Sequence, residues 1–261
     1  MESPMLLPLL LASSAAAFPA DVVAPVREYL RANATQTAKP LERAFHPTAQ
    51  MYWVGQDGDV LIRTMAEWRQ LMADGKHKAR FEQTIVALDR SGDAAVATVE
   101  GNRDGKPLTD YLLLMKLQGE WKIVGKVFAS APRPAETDPA TAAELRAVVR
   151  AKLRSDLSFN GDELLRTQQP RAMFFNLDLE QLVAVSAQEW AARFDRRRKE
   201  GSTLKPLSQK IDTVAATGDV GYARWTVDWS SGRRIVDYAL LIRQGGQWRM
   251  VNTAWVQHDG R

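Results

Sequence analysis

The chain has 261 residues, of which 45% are apolar and 25% charged, a composition typical of a soluble globular protein long enough for two domains. Its 35 Lys and Arg residues exceed its 31 Asp and Glu residues by four, an excess too small to predict a nucleic-acid or anionic-membrane partner. The absence of cysteine excludes disulfides, thiol catalysis and zinc–thiolate sites.

The first 20 residues have the composition of a signal peptide. An apolar run over residues 5–12 is followed by small residues, and Ala15 and Ala17 form an A-x-A-like cleavage motif. We expect cleavage after Ala17 or Ala20 and a periplasmic or secreted mature protein. Glu2 stands where such segments normally carry Lys or Arg, so the alternative is a disordered or incorrectly assigned start. No later stretch is apolar enough to predict a transmembrane helix.

The remaining sequence contains two diverged copies of one module. Residues 26–31 align with residues 149–154, and further matches follow in the same order with small changes of offset. They include Glu67-Trp68 with Glu189-Trp190, Gly92-Asp93 with Gly218-Asp219, and Asp110-Tyr111 with Asp237-Tyr238. The Pro-rich segment 131–138 predicts a stiff, exposed linker between copy one, residues 21–130, and copy two, residues 139–261.

Each copy begins with helices. Apolar spacing predicts first helices at about 22–35 and 139–156, and short second helices at about 39–46 and 161–168. In copy one, residues 49–62 form a predicted hairpin with its turn at Asp57-Gly58. The third helices carry capping-box signatures, which are Thr64 with Glu67 and Ser186 with Glu189.

Four alternating segments close each copy. In copy one they span about 80–89, 94–101, 108–117 and 121–128, with short turns between them. The order ααββαββββ predicts an α+β fold in which a curved antiparallel sheet carries the helices on one face.

Several segments resemble one family. They are Phe45-His46-Pro47, Glu67-Trp68, Asp110-Tyr111-Leu112-Leu113-Leu114 and Gly119-Glu120-Trp121-Lys122-Ile123-Val124. Together with the element order they resemble the nuclear transport factor 2-like superfamily, which includes ketosteroid isomerases and the polyketide cyclase SnoaL, and within it the lumazine-binding-like branch. The resemblance covers nearly all of the mature chain and implies two cone-shaped modules. It implies no particular activity, because the superfamily includes enzymes, binding proteins and scaffolds.

Alternation in the closing strands predicts which side chains share a face. Tyr111, Leu113 and Met115 share one side, and Leu112 and Leu114 share the other with Asp110. Both sides are apolar, so both are expected to be covered. We predict that the tyrosine side faces the helices and that the Leu112 side packs on the other copy. The resemblance implies that this contact forms an intrachain pseudo-dimer through the two sheets.

The predicted pocket of each copy is lined by aromatic side chains. The candidate ligand-binding residues are Trp68 and Tyr111 in copy one and Trp225, Trp229 and Tyr238 in copy two. Such a lining suits a small aromatic or apolar ligand. The alternative is that these rings are core residues, as aromatic residues on inner strand faces usually are.

Candidate catalytic groups are few. His46 is the best acid–base candidate, and Tyr29 could donate to an oxyanion, as a tyrosine does in the ketosteroid isomerases that the chain resembles. Copy two has Gln169 and Lys152 at these positions. Asp110 and Asp237 recur, but the predicted alternation turns them away from the pocket, so no aspartate matches the isomerase base or its buried donor.

Motifs for metals, phosphates and cofactors are absent from the sequence. The histidines His46, His77 and His258 have no metal-ligand spacing, and there is no Gly-rich phosphate loop or G-x-S-x-G elbow. We therefore expect neither a metal nor a cofactor.

Three hypotheses remain open. The first is a non-enzymatic exported protein that binds a small molecule or a partner. The second is an isomerase-, cyclase- or dehydratase-type enzyme that acts from copy one through His46. The third is a structural module of the cell envelope whose pockets are filled by Trp and Tyr.

Overall fold

The computed structural model describes residues 18–202 and 205–258. Most of the proposed signal segment lies outside these residues, so its cleavage and the export of the protein stay predictions. Within the described ranges, no helix has the length and apolarity needed to cross a membrane.

Two modules with the same element order follow each other along the chain. Module one comprises α1 (Ala20–Thr35), α2 (Lys39–Ala44), β1 (Phe45–Val54), β2 (Val60–Thr64), α3 (Met65–Ala73), β3 (Phe81–Ser91), β4 (Ala94–Arg103), β5 (Lys106–Leu117) and β6 (Glu120–Ala129). Module two comprises α4 (Pro139–Ser158), α5 (Gly161–Arg166), β7 (Gln168–Asp178), β8 (Gln181–Ser186), α6 (Ala187–Lys199), β9 (Pro206–Thr217), β10 (Val220–Trp229), β11 (Arg234–Gln244) and β12 (Gln247–His258).

Both predicted capping boxes are confirmed. The hydroxyls of Thr64 and Ser186 accept from the backbone N–H groups of Glu67 and Glu189, whose carboxylates bond back to the caps. The short second helices end two residues earlier than predicted. In module one Phe45 has extended backbone dihedrals and pairs with Ile123 of β6, which places His46 in strand β1.

Each module forms one six-stranded sheet. The strand orders are β2-β1-β6-β5-β4-β3 and β8-β7-β12-β11-β10-β9. Neighbouring strands are antiparallel except for the parallel pairs β1–β6 and β7–β12. The helices of each module cover one face of its own sheet, and we call the space between them the cone of that module.

The opposite faces of the two sheets pack on each other. Their shared core includes Tyr111, Leu113 and Met115 of module one and Tyr238 and Leu240 of module two, all fully buried. Hydrogen bonds also cross the interface, from Tyr52 Oη to the Arg171 carbonyl at 2.8 Å and between Tyr111 Oη and Thr217 Oγ1 at 2.9 Å. The chain is thus an intrachain pseudo-dimer of two cone-shaped modules.

The predicted face assignment is wrong. Leu112 and Leu114 pack with Val22 and Val26 of α1, whereas Tyr111 and Tyr238 lie in the core between the modules. The alternation of β5 and β11 was correct, but both faces of these strands are apolar, so alternation alone could not show which face meets the helices. As a consequence, Asp110 and Asp237 point into the cones.

The linker has no regular secondary structure over residues 131–138, and its ends are fixed. Thr109 Oγ1 donates to the Ala131 carbonyl at 2.9 Å, and Thr137 Oγ1 accepts from the Ala216 amide at 2.9 Å. Asp138 then caps α4 by accepting from the Thr141 amide.

Candidate functional site

The cone of module one is occupied by a closed polar network. Asp110 of β5 is fully buried and accepts from Tyr29 Oη of α1 at 2.6 Å and from Gln83 Nε2 of β3 at 2.9 Å. Lys126 Nζ of β6 lies 3.1 Å from Asp110 Oδ1 and donates to Tyr29 Oη at 2.6 Å. Burial lowers the pKa of Lys126, and burial together with the Asp110 charge raises that of Tyr29.

Aromatic rings complete the enclosure of Lys126. Its ammonium lies 4.6 Å from the ring centroid of Tyr29, 5.4 Å from that of Trp68 and 4.9 Å from that of Phe128. Trp53 in turn stacks on Phe128 with centroids 5.4 Å apart. The remaining cavity is only about 30 Å³, room for about one water molecule.

The cone of module two differs at the positions that form this network. The strand registers and the sequence repeat place Lys152 where module one has Tyr29, Asp156 where it has Asn33, Asn176 where it has Trp53 and Thr253 where it has Lys126. The cation has therefore moved from a strand to a helix, and an indole has been replaced by a small amide. The aspartate is retained as Asp237, and Trp68 has its counterpart in Trp190.

These differences leave an open cavity of about 270 Å³ in module two. Its aromatic lining consists of Phe159, Phe174, Trp190, Phe194, Trp229 and Trp255. Its polar lining consists of Lys152, Asp156, Asn176, Arg197 and Asp237. Aromatic walls with a few convergent polar groups are the usual composition of a small-molecule site.

Asp237 is an ionisable group of this cavity whose pKa is strongly raised. It is 7% exposed and forms no ion pair among the described residues, unlike Asp110. Burial raises the pKa of Asp237 to about 7, and the nearby Asp156 charge adds to the shift. The Lys152 charge and the Trp225 indole N–H partly oppose it. A carboxyl group of this acidity exchanges its proton near neutral pH.

Lys152 is held by a different carboxylate. Its Nζ lies 2.6 Å from both oxygens of Asp156, one helical turn further along α4. Burial raises the pKa of Asp156. Two buried polar atoms of the cavity lining have no hydrogen-bond partner within the described ranges. They are the acceptor Asn176 Oδ1 and the donor Trp229 Nε1.

The residues selected from the sequence are dispersed over the molecule. Trp68 lines the small cavity of module one and Trp229 the cavity of module two. Trp225 is fully buried next to Asp237, and Tyr111 and Tyr238 lie between the modules rather than in a pocket. The ligand-binding roles of these residues stay predictions.

The two catalytic candidates occupy different surroundings. Tyr29 is bound within the closed network of module one. His46 is half-buried in β1 and lines neither cone cavity, and its Nδ1 lies 2.7 Å from Thr48 Oγ1. Burial and the Lys122 charge lower the pKa of His46. Its catalytic role stays a prediction.

Lys152, Asp156, Asn176 and Asp237 were not among the site residues predicted from the sequence. The recurrence of Asp110 as Asp237 was visible, but the wrong face assignment placed both outside the cones. An Asp in an apolar strand that recurs in the other copy, while the tyrosine at position 29 is replaced there by Lys152, is the signal that could have identified the site.

Other features of the surface are weaker candidates. A depression of about 430 Å³ lies outside the cone, between α4, α5 and Trp248, and none of its lining residues carries a buried unpaired polar atom in the part of the chain that the structure describes. Across the same residues, no group of three or more His, Asp or Glu side chains is arranged to hold a metal ion.

Comparison with known proteins identifies similarity over both modules. The family model described as putative lumazine-binding matches residues 19–129 and again residues 140–256. The aldolase FrzH of a Cladobotryum species is 27% identical over 114 residues, which cover 43% of this chain and 90% of that protein.

Two solved structures are similar over about half of the chain. An NTF-2 like protein of unknown function from Silicibacter pomeroyi is 21% identical, with 47% of this chain and 99% of that chain covered and a TM-score of 0.41. An NTF2-like protein of unknown function from Methylobacillus flagellatus is 17% identical, with 48% and 98% covered and a TM-score of 0.42.

Proposed function

The chain belongs to the putative lumazine-binding family, and we propose that the cone of module two binds a small, flat heterocyclic compound while the cone of module one is structural. The observation that carries this proposal is the Asp237 carboxyl group, which lies on the wall of an aromatic cavity of about 270 Å³ and forms no ion pair with any residue that the structure describes. A buried ionisable group is costly to a folded protein unless it has a partner, and a ligand would supply one.

The lining supports a flat ligand. Trp190 and Trp255 have ring centroids 5.0 Å apart, and Phe174 stacks on Trp190 at 5.8 Å, so these three rings form one contiguous aromatic part of the cavity lining. Stacking on such faces favours planar compounds. A volume of 270 Å³ is just below the range of about 300–1,000 Å³ that is usual for drug-sized ligands, so a bicyclic compound is an appropriate size.

The polar groups support a ligand with both donors and acceptors at its edge. Asp237 and Asn176 Oδ1 can accept hydrogen bonds, and Trp229 Nε1 can donate one. The imide and ring-nitrogen edge of a lumazine-type compound offers this combination. A bond to Asn176 Oδ1 or Trp229 Nε1 would satisfy a buried atom that has no hydrogen-bond partner among the described residues.

Calorimetric titration with lumazine tests the proposal, and the two modules offer a matched pair of variants. Asn176→Trp introduces into module two the side chain that module one has at this position, and we expect it to weaken binding at least tenfold by filling the cavity. The control is the reverse change in module one, Trp53→Asn, which should leave the affinity unchanged. Equal effects of the two variants, or binding unaffected by Asn176→Trp, would overturn the assignment to module two.

A second function is favoured by the acidity of Asp237. A carboxyl group with a pKa of about 7 can act as a general acid or base at neutral pH, which suits proton transfer next to a carbonyl group. The similarity to the aldolase FrzH is compatible with such chemistry. In this alternative the enzyme acts from module two through Asp237, and not from module one through His46.

Proton exchange distinguishes the two functions. An enzyme of this type should catalyse exchange of α-hydrogens of small cyclic ketones with deuterated water, measured by NMR, and Asp237→Asn should abolish it. A binding protein should bind lumazine without accelerating exchange in any ketone of the panel.

A further inference from the structure

Each module buries one lysine side chain, and the two lysines have different surroundings. The side chains of Lys126 and Lys152 are each 5% exposed, and each ammonium is paired with a carboxylate. An amine removed from water in this way is costly to the folded state unless its partners compensate. In module one the partners are numerous, because Asp110 pairs with Lys126, Tyr29 Oη accepts from it, and the rings of Tyr29, Trp68 and Phe128 surround it.

Lys152 instead lines the 270 Å³ cavity of module two. Within the described ranges its amine donates hydrogen bonds to Asp156 alone, with the Phe174 ring centroid 5.9 Å away, and Asp237 lines the same cavity. A ligand that enters this cavity can therefore approach a buried amine, one carboxylate that can take its proton and a second carboxyl group that can donate one. Module one offers no such access, because its cavity holds about 30 Å³.

We propose that Lys152 captures small aldehydes or ketones carried on a flat aromatic body by forming an imine with them. This goes beyond the proposed binding function and shares only its cavity. Asp156 first takes a proton from the Lys152 ammonium, and the free amine adds to the carbonyl carbon. The new C–N bond and transfer of a nitrogen proton to the oxygen give a carbinolamine.

Dehydration completes the step. Asp237, as the carboxylic acid, donates a proton to the carbinolamine hydroxyl, and the C–O bond breaks to release water as the C=N bond forms. The protonated imine keeps the positive charge of the original ammonium. The proton held by Asp156 returns to Asp237 through water, so the net change is condensation of one amine with one carbonyl and loss of one water molecule. No oxidant or reductant takes part.

Reductive trapping followed by peptide mapping tests this proposal on the full-length wild-type chain. Benzaldehyde at a substoichiometric concentration is added with sodium cyanoborohydride, and the benzylated lysines are located by mass spectrometry. We expect Lys152 to be labelled at least tenfold more than Lys126 or the exposed Lys106. Labelling that follows exposure, with Lys106 modified and Lys152 unmodified, would overturn the proposal.

Variants separate a site in the cavity from a generally reactive surface. Lys152→Arg keeps a cation for Asp156 and should abolish the selective label, and Asn176→Trp should reduce it at least tenfold by filling the cavity. The matched control Trp53→Asn should leave it unchanged. Asp237→Asn should slow labelling about tenfold or more, because it removes the acid for dehydration. Lumazine binding without selective labelling would contradict imine formation and leave the proposed function intact. Selective labelling without lumazine binding would support imine formation and contradict the proposed function.

Discussion

Asp110 and Asp237 occupy equivalent positions and show how surroundings decide what a buried carboxyl group does. Asp110 Oδ2 accepts hydrogen bonds from a tyrosine and a glutamine, and the ammonium of a lysine lies 3.1 Å from Oδ1. Asp237 has lost these partners, because Lys152 of α4 pairs with Asp156 instead. The first arrangement stabilises a fold, and the second leaves a titratable group beside a cavity.

Asp237 makes stability depend on pH. Its pKa of about 7 in the folded protein exceeds the ordinary 3.8, so between pH 4 and 7 the unfolded chain releases a proton that the folded chain keeps. The contribution of Asp237 to the free energy of unfolding therefore falls as the pH rises through that window, by at most about 4 kcal/mol. We expect Asp237→Asn to be more stable than wild type in urea at pH 8 and equal to it below pH 4.

The other ionisable groups of the cavity, which are Lys152, Asp156 and Arg197, are unchanged in this variant. Asp228→Asn serves as the control of opposite sign, because Arg234 and Ser208 lower the pKa of the Asp228 carboxyl group and favour its charged form. That variant should lose stability above pH 4. A stability difference between Asp237→Asn and wild type that does not vary with pH would contradict the raised pKa.

Asp110→Asn should be strongly destabilising. It leaves the Lys126 ammonium buried without a charge partner, which costs about 3–5 kcal/mol in typical buried pairs. Replacing both members with neutral side chains in Asp110→Asn/Lys126→Met removes the uncompensated charge and should restore most of the loss. Urea unfolding of the three proteins measures this, and a double variant no more stable than Asp110→Asn would argue against the ion pair as the cause.

At the scale of elements, local signals in the sequence predicted the fold well. The capping boxes at Thr64 and Ser186 were predicted because their polar residues stand three positions apart before apolar helices, and the structure confirms both. The faces of β5 and β11 were predicted wrongly, since Tyr111 and Leu112 are both apolar and sequence cannot show which layer covers each. The site depended on that choice, so it was not found.

Loss of either cap is expected to destabilise its module by about 1 kcal/mol. Thr64→Ala and Ser186→Ala each leave helix N–H groups without an acceptor, while Thr64→Ser keeps the hydroxyl and should be close to wild type. Because the caps lie in separate modules, the double alanine variant should show the sum of the two losses. Chemical denaturation provides the measurement, and a loss from Thr64→Ser equal to that from Thr64→Ala would contradict the capping role.

At the scale of the whole molecule, the two sheets meet closely enough that one glycine is required between them. A Cβ atom at Gly125 of β6 would lie 2.4 Å from Asn252 Oδ1 of β12, and Asn252 is fully buried. Gly125→Ala must therefore displace the interface, and we expect a destabilisation of about 1–3 kcal/mol.

Gly55→Ala is the matched control for the interface. Its Cβ would lie 3.1 Å from the exposed side chain of Leu61, which can move away. Urea unfolding should show a smaller loss for Gly55→Ala than for Gly125→Ala. Equal stability of the Gly125→Ala variant and wild type would mean that the modules are not packed as described.

The pseudo-dimer also explains how one module could specialise. The two cones share a sheet-to-sheet core, so the packing of module one can stabilise module two although module two has an open cavity. The family resemblance and the internal repeat of the sequence predicted that the two modules pair, but they did not predict which of the two cones is open. Whether a cone is filled or open depends on side-chain volume at positions such as Trp53 and Asn176. It could be recognised only from the three-dimensional arrangement of the residues that line both cones.

The most direct test of ligand binding in module two is NMR of the indole N–H groups during titration with lumazine. The resonances of Trp190, Trp229 and Trp255 should shift with one common binding curve, because all three line the cavity, while that of Trp68 in module one should not move. Shifts at Trp68 with unchanged signals from the module-two tryptophans, or no shifts in any indole signal, would contradict the account.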